Sequence, residues 1–219
     1  MTKLSGPMLP PASGGVPRQA VVLLHGYGSD GNDLIGLAPH WQALLPDAVF
    51  VAPNAPEPCR QLAHGFQWFD ISFDGDRLAK RQVGVVAARP VLLEFLEDLW
   101  SQANIAPENT ILAGFSQGAM MALHTGLSLE KPLMGIIAFS GAFLPPDTFG
   151  RALLAKSPVC LVHGDRDAVV DPQHSADADV TLRLAGYDVS YHVSPGAGHG
   201  IAPDGLAFAG RFIARVAAK

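Results

Sequence analysis

The sequence is short of cysteine, of charge and of long apolar runs, and each shortage removes a class of protein. Cysteine occurs twice, at Cys59 and Cys160, too few for a disulfide framework. Both are expected as thiols in a reducing compartment, the cytoplasm by default. Cys160 falls in the apolar run 158–162 and reads as a small core residue, whereas Cys59 sits among prolines in a loop. Lys and Arg number 15 against 20 Asp and Glu, a net charge of -5, and the basic residues never cluster. A nucleic-acid groove or an anionic membrane surface therefore lacks electrostatic support. The longest apolar runs are strand-sized, so no membrane span is expected. Residues 1–18, rich in Pro, Gly and Ser, lack the apolar stretch of a signal peptide. The eight histidines show no H-x-H or H-E-x-x-H spacing, which argues against a metal hydrolase. Gly26-Tyr27-Gly28 lacks the downstream glycine of a dinucleotide fingerprint, and no Walker sequence exists.

What is present points to a packed α/β domain. Apolar residues make up 48% of the 219 positions and charged ones 16%, which excludes a disordered chain and suits one domain. Short β-branched or aliphatic runs at 20–24, 49–52, 110–113, 135–139, 159–162 and 189–193 read as buried strands. Segments of helical spacing fall between most of them, at 34–45, 85–100, 117–129, 175–185 and 206–217. In the second, Val91, Leu92, Phe95, Leu96 and Leu99 make one apolar stripe. Strands alternating with helices imply a mostly parallel sheet covered on both faces. Residues 20–219 are expected to form this domain, with 1–19 as an extension that is flexible or adds an edge strand. The stretch 53–81 breaks the rhythm, and a connection of that length suggests a lid or pocket wall.

The strongest chemical signal is Gly114-Phe115-Ser116-Gln117-Gly118, which follows one strand run and opens a helical segment. Strand, sharp turn and helix form the context in which G-x-S-x-G displays a nucleophilic serine. The turn exposes the hydroxyl of Ser116 above the sheet, at the positive end of a helix dipole. A serine nucleophile needs a base, and the base needs an orienting acid. In this architecture the chain order is serine, acid, histidine. Of the histidines that follow the acidic cluster, His192 lies inside a strand run and His174 opens a helix. His199, in Gly198-His199-Gly200 just after the last strand run, is where a base is expected. The acid should come from His163-Gly164-Asp165-Arg166-Asp167, where Asp165 and Asp167 both qualify on spacing. Asp171, ahead of Pro172, reads as a helix cap.

Acyl transfer also requires two N–H groups aimed at the developing oxyanion, and losing one typically costs about 3 kcal/mol of barrier. Gln117 offers one through its main chain. Tyr27, in His25-Gly26-Tyr27-Gly28 after the first strand run, offers the other, with glycines that let the backbone turn inward.

Taken together, His25-Gly26-Tyr27-Gly28, Trp68-Phe69-Asp70, Gly114-Phe115-Ser116-Gln117-Gly118, His163-Gly164-Asp165-Arg166-Asp167 and Gly198-His199-Gly200 resemble the phospholipase/carboxylesterase family. That family includes acyl-protein thioesterases and small bacterial carboxylesterases. The resemblance runs from about Ala20 to the C-terminus and implies an α/β-hydrolase fold. It assigns the triad acid to Asp167 with Asp165 structural, supports Tyr27 and Gln117 as oxyanion donors, and implies no metal or organic cofactor. Family members are commonly monomers or dimers. Leucine often stands where Tyr27 does, so the tyrosine is expected to narrow or polarise the acyl pocket. Trp68 and Phe69 border the substrate cleft by resemblance, although on physical grounds alone ordinary packing is the better explanation of both. Phe143 and Leu144, and Val170 beyond Asp167, are further candidates for the cleft wall.

A carboxylesterase acting on small acyl esters is the reading these residues favour. An acyl-protein thioesterase or a lysophospholipase is the alternative, and a non-catalytic binding protein of the same fold is a remote one.

Overall fold

The computed structural model describes residues 3–62, 64–71, 77–151 and 156–218. Its centre is a seven-stranded sheet. The strands in chain order are β1 (Met8–Leu9), β2 (Gln19–Leu24), β3 (Ala48–Val51), β6 (Thr110–Phe115), β7 (Gly135–Phe139), β8 (Val159–Gly164) and β9 (Val189–Ser194). A two-stranded ribbon of β4 (Glu57–Pro58) and β5 (Phe66–Gln67) stands apart. The sheet order is β1-β3-β2-β6-β7-β8-β9, and every pairing is parallel except β1 with β3.

Strands β3, β6, β7 and β8 are buried along nearly their whole length, because helices cover both faces and leave polar side chains nowhere to go. One face packs Leu92 and Leu96 from α3 (Arg77–Ala103), the buried helix α4 (Gln117–Gly126), and Ala178 and Leu182 from α5 (Gln173–Leu184). The other packs Leu34 from α1 (Gly31–Ile35), Trp41 from α2 (Ala38–Trp41), and Phe212 and Ile213 from α6 (Pro203–Ala217). Among the described residues no helix is long and apolar enough to cross a membrane.

The sequence suggests one helix over 34–45, but the structure breaks it into α1 and α2. Pro39 sits in the first turn of α2. A proline has no N–H for the carbonyl four residues earlier, so a continuous helix fails there. The short β1 carries no alternating pattern of its own. It is held by pairing with β3, and Pro7 O and Ser5 O accept from the amides of Ala52 and Asn54. In the irregular stretch 53–81, the ribbon packs beside the loop after β2, with Gly28 N–H donating to Phe66 O at 2.9 Å. Residues 63 and 72–76 of that stretch lie outside the described residues. Cys59 and Cys160 are both buried and unbridged.

The strand order decides where a ligand can bind. From β2 the chain moves outward to β3, then returns to β6 on the other side of β2. Loops leaving β2 and β6 therefore diverge, and a crevice opens at their C-terminal ends. Pairing of Leu24 with Gly114 places the Gly26–Gly28 turn and Ser116 at that crevice.

Candidate active site

Ser116 occupies the turn between β6 and α4 with φ 53° and ψ -112°. A positive φ is strained for a residue with a Cβ, and such strain persists only where surroundings enforce it. They do so here. Ser116 N–H donates to Phe139 O at 2.9 Å, and Ser116 O accepts from the amides of Ala119 and Met120. The flanking glycines answer to close backbone approach: a Cβ on Gly118 would run into the Leu24 carbonyl, and one on Gly114 into the Gly118 carbonyl. The hydroxyl of Ser116 is thereby fixed at the N-terminus of a wholly buried helix, where the dipole favours negative charge.

His199 reaches this point from the loop after β9. Its Nε2 lies 3.1 Å from Ser116 Oγ, and its Nδ1 lies 2.7 Å from Asp167 Oδ2. The Phe115 ring packs 4.8 Å from the imidazole, centroid to centroid. The Asp167 carboxylate is fully saturated. Oδ1 accepts from the amides of Val169 and Val170 at 2.8 and 2.9 Å, while Oδ2 also faces His163 Nε2 at 3.1 Å. Burial alone would push this carboxyl up. The hydrogen bonds from His199 and from the Val170 and Val169 amides outweigh it and hold the group below the usual carboxylate range.

The two aspartates left open by spacing are thus separated by geometry. The Asp165 carboxylate accepts instead from Gly196 N–H at 2.6 Å, tying the loop after β8 to the loop after β9. Asp171 accepts from Gln173 N–H at 2.9 Å and caps the start of α5. His192 is removed from the crevice, hydrogen-bonded to Asp204 at 2.7 Å and stacked on Phe208. His174, with its amide donating to Asp171 O, lines an adjoining hollow with Ala168 and Val169.

As the first residue of α4, Gln117 has a main-chain N–H that no intrahelical carbonyl can take. Tyr27 faces the same cleft from a turn in which Gly28 has φ +74°. That turn is anchored by His25, which is fully buried. His25 Nε2 accepts from Ala55 N–H at 2.9 Å, so the proton rests on Nδ1, which donates to Gly26 O at 2.7 Å. The Tyr27 phenol is tucked beside Cys59. Burial and that thiol push it up to about 12.

The cleft over Ser116 has a volume of about 260 Å³. Phe69, Ile71, Met120, Val169 and Val170 give it an apolar wall, while Ser29, Asp33 and Arg81 give it polar atoms. Phe69 and Val170 are therefore lining residues. Trp68 and Phe143 are not. The Trp68 indole lies beneath the wall, donating to His25 O at 3.0 Å, because a buried indole N–H needs an acceptor. Phe143 turns into an aromatic cluster with Phe149 and Tyr187, and Leu144 is core. Several contributors escape sequence reasoning. Met120 and Arg81 reach the cleft from helices. The Gln117 side chain clamps the wall by accepting from Trp68 N–H at 2.8 Å and donating to Phe69 O at 2.7 Å. Only helical phase relative to Ser116 hints at Met120, which lies one turn along the same face.

Known proteins resemble this chain in sequence and in fold. The family described as Phospholipase/Carboxylesterase matches residues 12–217. A solved structure of esterase PE8 is 50% identical and superposes with a TM-score of 0.93, covering 98% of this chain and 99% of that one. Esterase YpfH of Escherichia coli (strain K12) is 34% identical over 88% of this chain and 80% of its own length. Acyl-protein thioesterase 1 of Candida albicans is 30% identical over 95% and 96%. The chain belongs to the phospholipase/carboxylesterase family and is a carboxylic ester hydrolase of the α/β-hydrolase fold.

Proposed function

We propose that this hydrolase is a serine carboxylesterase for small acyl esters, working through an acyl-enzyme on Ser116. The observation that carries the proposal is the unbroken hydrogen-bonded chain Ser116 Oγ, His199, Asp167. His199 Nε2 accepts the Ser116 proton as Oγ attacks the ester carbonyl. Asp167 holds the imidazole in the tautomer that leaves Nε2 free, and it stabilises the imidazolium that forms. The main-chain N–H groups of Tyr27 and Gln117 take the oxyanion of the tetrahedral intermediate. His199 then returns the proton to the leaving alcohol. A water, deprotonated by the same nitrogen, attacks the acyl-enzyme and releases the carboxylic acid and Ser116.

The apolar wall of Phe69, Met120 and Val170 suits the acyl group, and a cleft of about 260 Å³ favours short chains. Thioester hydrolysis is the second reading, favoured by relatives named acyl-protein thioesterase 1. A fluorophosphonate probe should label Ser116. Ser116→Ala should abolish both labelling and hydrolysis, and undiminished turnover in that variant removes the proposal. Rates on p-nitrophenyl esters from acetate to palmitate, beside a palmitoyl thioester, separate the two substrate readings.

A further inference from the structure

His163 is the last residue of β8 but one, and it is completely buried. A buried polar ring must place both nitrogens. Its Nε2 faces two oxygen acceptors, Asp167 Oδ2 at 3.1 Å and Val170 O at 3.0 Å. A nitrogen facing only acceptors carries the proton. The other nitrogen, Nδ1, then accepts from Ser175 Oγ at 2.6 Å.

We propose that His163 is a positioning residue of the active site, one that sets the aim and charge of Asp167 through a neutral Nε2–H donor. This rests on the reading of Ser116, His199 and Asp167 as a triad. Asp167 Oδ2 is shared by two imidazoles, His199 from the loop after β9 and His163 from β8. With Oδ1 taken by two backbone amides, the carboxylate has no direction left in which to turn. The titratable groups facing His163 are Asp167 and His199. Burial holds the His163 imidazole below its ordinary range despite the carboxylate beside it. Only one of the two histidines on Asp167 therefore gains a proton during turnover. The neutral donor disperses part of the negative charge that would otherwise act wholly on His199.

The test compares two amides that differ in reach. In His163→Asn the side-chain amide occupies the Nδ1 region and cannot span to Asp167. In His163→Gln it extends to the Nε2 region and restores a donor. A hydrogen bond to a charged group is worth about 10–100-fold in rate when lost. His163→Asn should lower kcat on p-nitrophenyl acetate by about that factor with KM little changed. The acid limb of kcat/KM should move to higher pH, since a less dispersed carboxylate favours the protonated base. His163→Gln should recover most of the rate and return the limb. A wild-type limb and rate in His163→Asn, or equal losses in both variants, overturns the proposal. Nitrogen-15 NMR of the wild-type imidazoles supplies a test that needs no variant: His163 protonated on Nδ1 would overturn it. Ser116→Ala serves as the control for the underlying reading. If it is inactive while His163→Asn behaves as wild type, the role of His163 alone fails.

Discussion

Replacing Asp167 by asparagine changes one oxygen into an NH2 group, and the surrounding hydrogen bonds decide which one. The oxygen that accepts from the Val169 and Val170 amides must remain an oxygen. The NH2 then points at His199 Nδ1 and His163 Nε2, which stand 2.7 and 3.1 Å from the native Oδ2. Both of those nitrogens are donors, so a donor meets two donors. His199 escapes by moving its proton to Nε2, where it can only donate to Ser116 and no longer accept. Flipping the amide gives no relief, because NH2 would then meet two backbone N–H groups. In a Ser-His-Asp triad the wrong tautomer lowers kcat about 10⁴-fold, equivalent to about 5.5 kcal/mol of barrier. A buried donor left unpaired costs a further ~1–3 kcal/mol of stability. Asp167→Asn should therefore reduce p-nitrophenyl acetate turnover about 10⁴-fold and lower Tm by several degrees. Asp165→Asn keeps a carbonyl for Gly196 N–H and should stay within about twofold, as exposed substitutions usually do. Turnover by Asp167→Asn within tenfold of wild type, or the large loss appearing in Asp165→Asn instead, would refute the reasoning.

Stability should fall with acid in two windows. The pKa values of His25, His124 and His163 are lowered in the fold, chiefly by burial. The unfolded chain therefore binds protons first, and their contribution, present above about pH 6.5, is lost below it. Asp167, held below the usual range, loses its contribution only as pH drops below about 4. Thermal scans from pH 8 to 5 should show Tm declining below about 6.5, and a flat profile would contradict buried neutral imidazoles. EDTA should leave initial rates unchanged, because the proposed chemistry needs only protein groups. A loss that added Zn²⁺ or Mn²⁺ restores would show otherwise.

Local signals carried much of this molecule. Both faces of the inner strands are buried, so β2, β3, β6, β7 and β8 appear in the sequence as short aliphatic runs that periodicity can find, whereas the edge strand β9 is half-exposed and mixes polar with apolar residues. Ser116 is legible for a similar reason. A strained turn between a strand and a helix tolerates only glycine where backbones nearly touch, and Gly114 and Gly118 meet that demand. The order serine, acid, histidine leaves His174, His192 and His199, and the loop after the last strand run makes His199 the expected base, but spacing leaves Asp165 and Asp167 equivalent. Their difference is one of direction after a turn, one toward Gly196 N–H and the other toward His199. No local pattern encodes that, because the partner lies some thirty residues away. The same holds for Trp68 and Phe143, whose aromatic character fits a cleft wall as well as a core. Indole bonding to His25 O and ring packing on Phe149 decide those two. The roles of His25 and His163 also belong to the tertiary level. Each is a histidine before glycine at a strand end, and only burial and the placing of both ring nitrogens distinguish an anchor from a base.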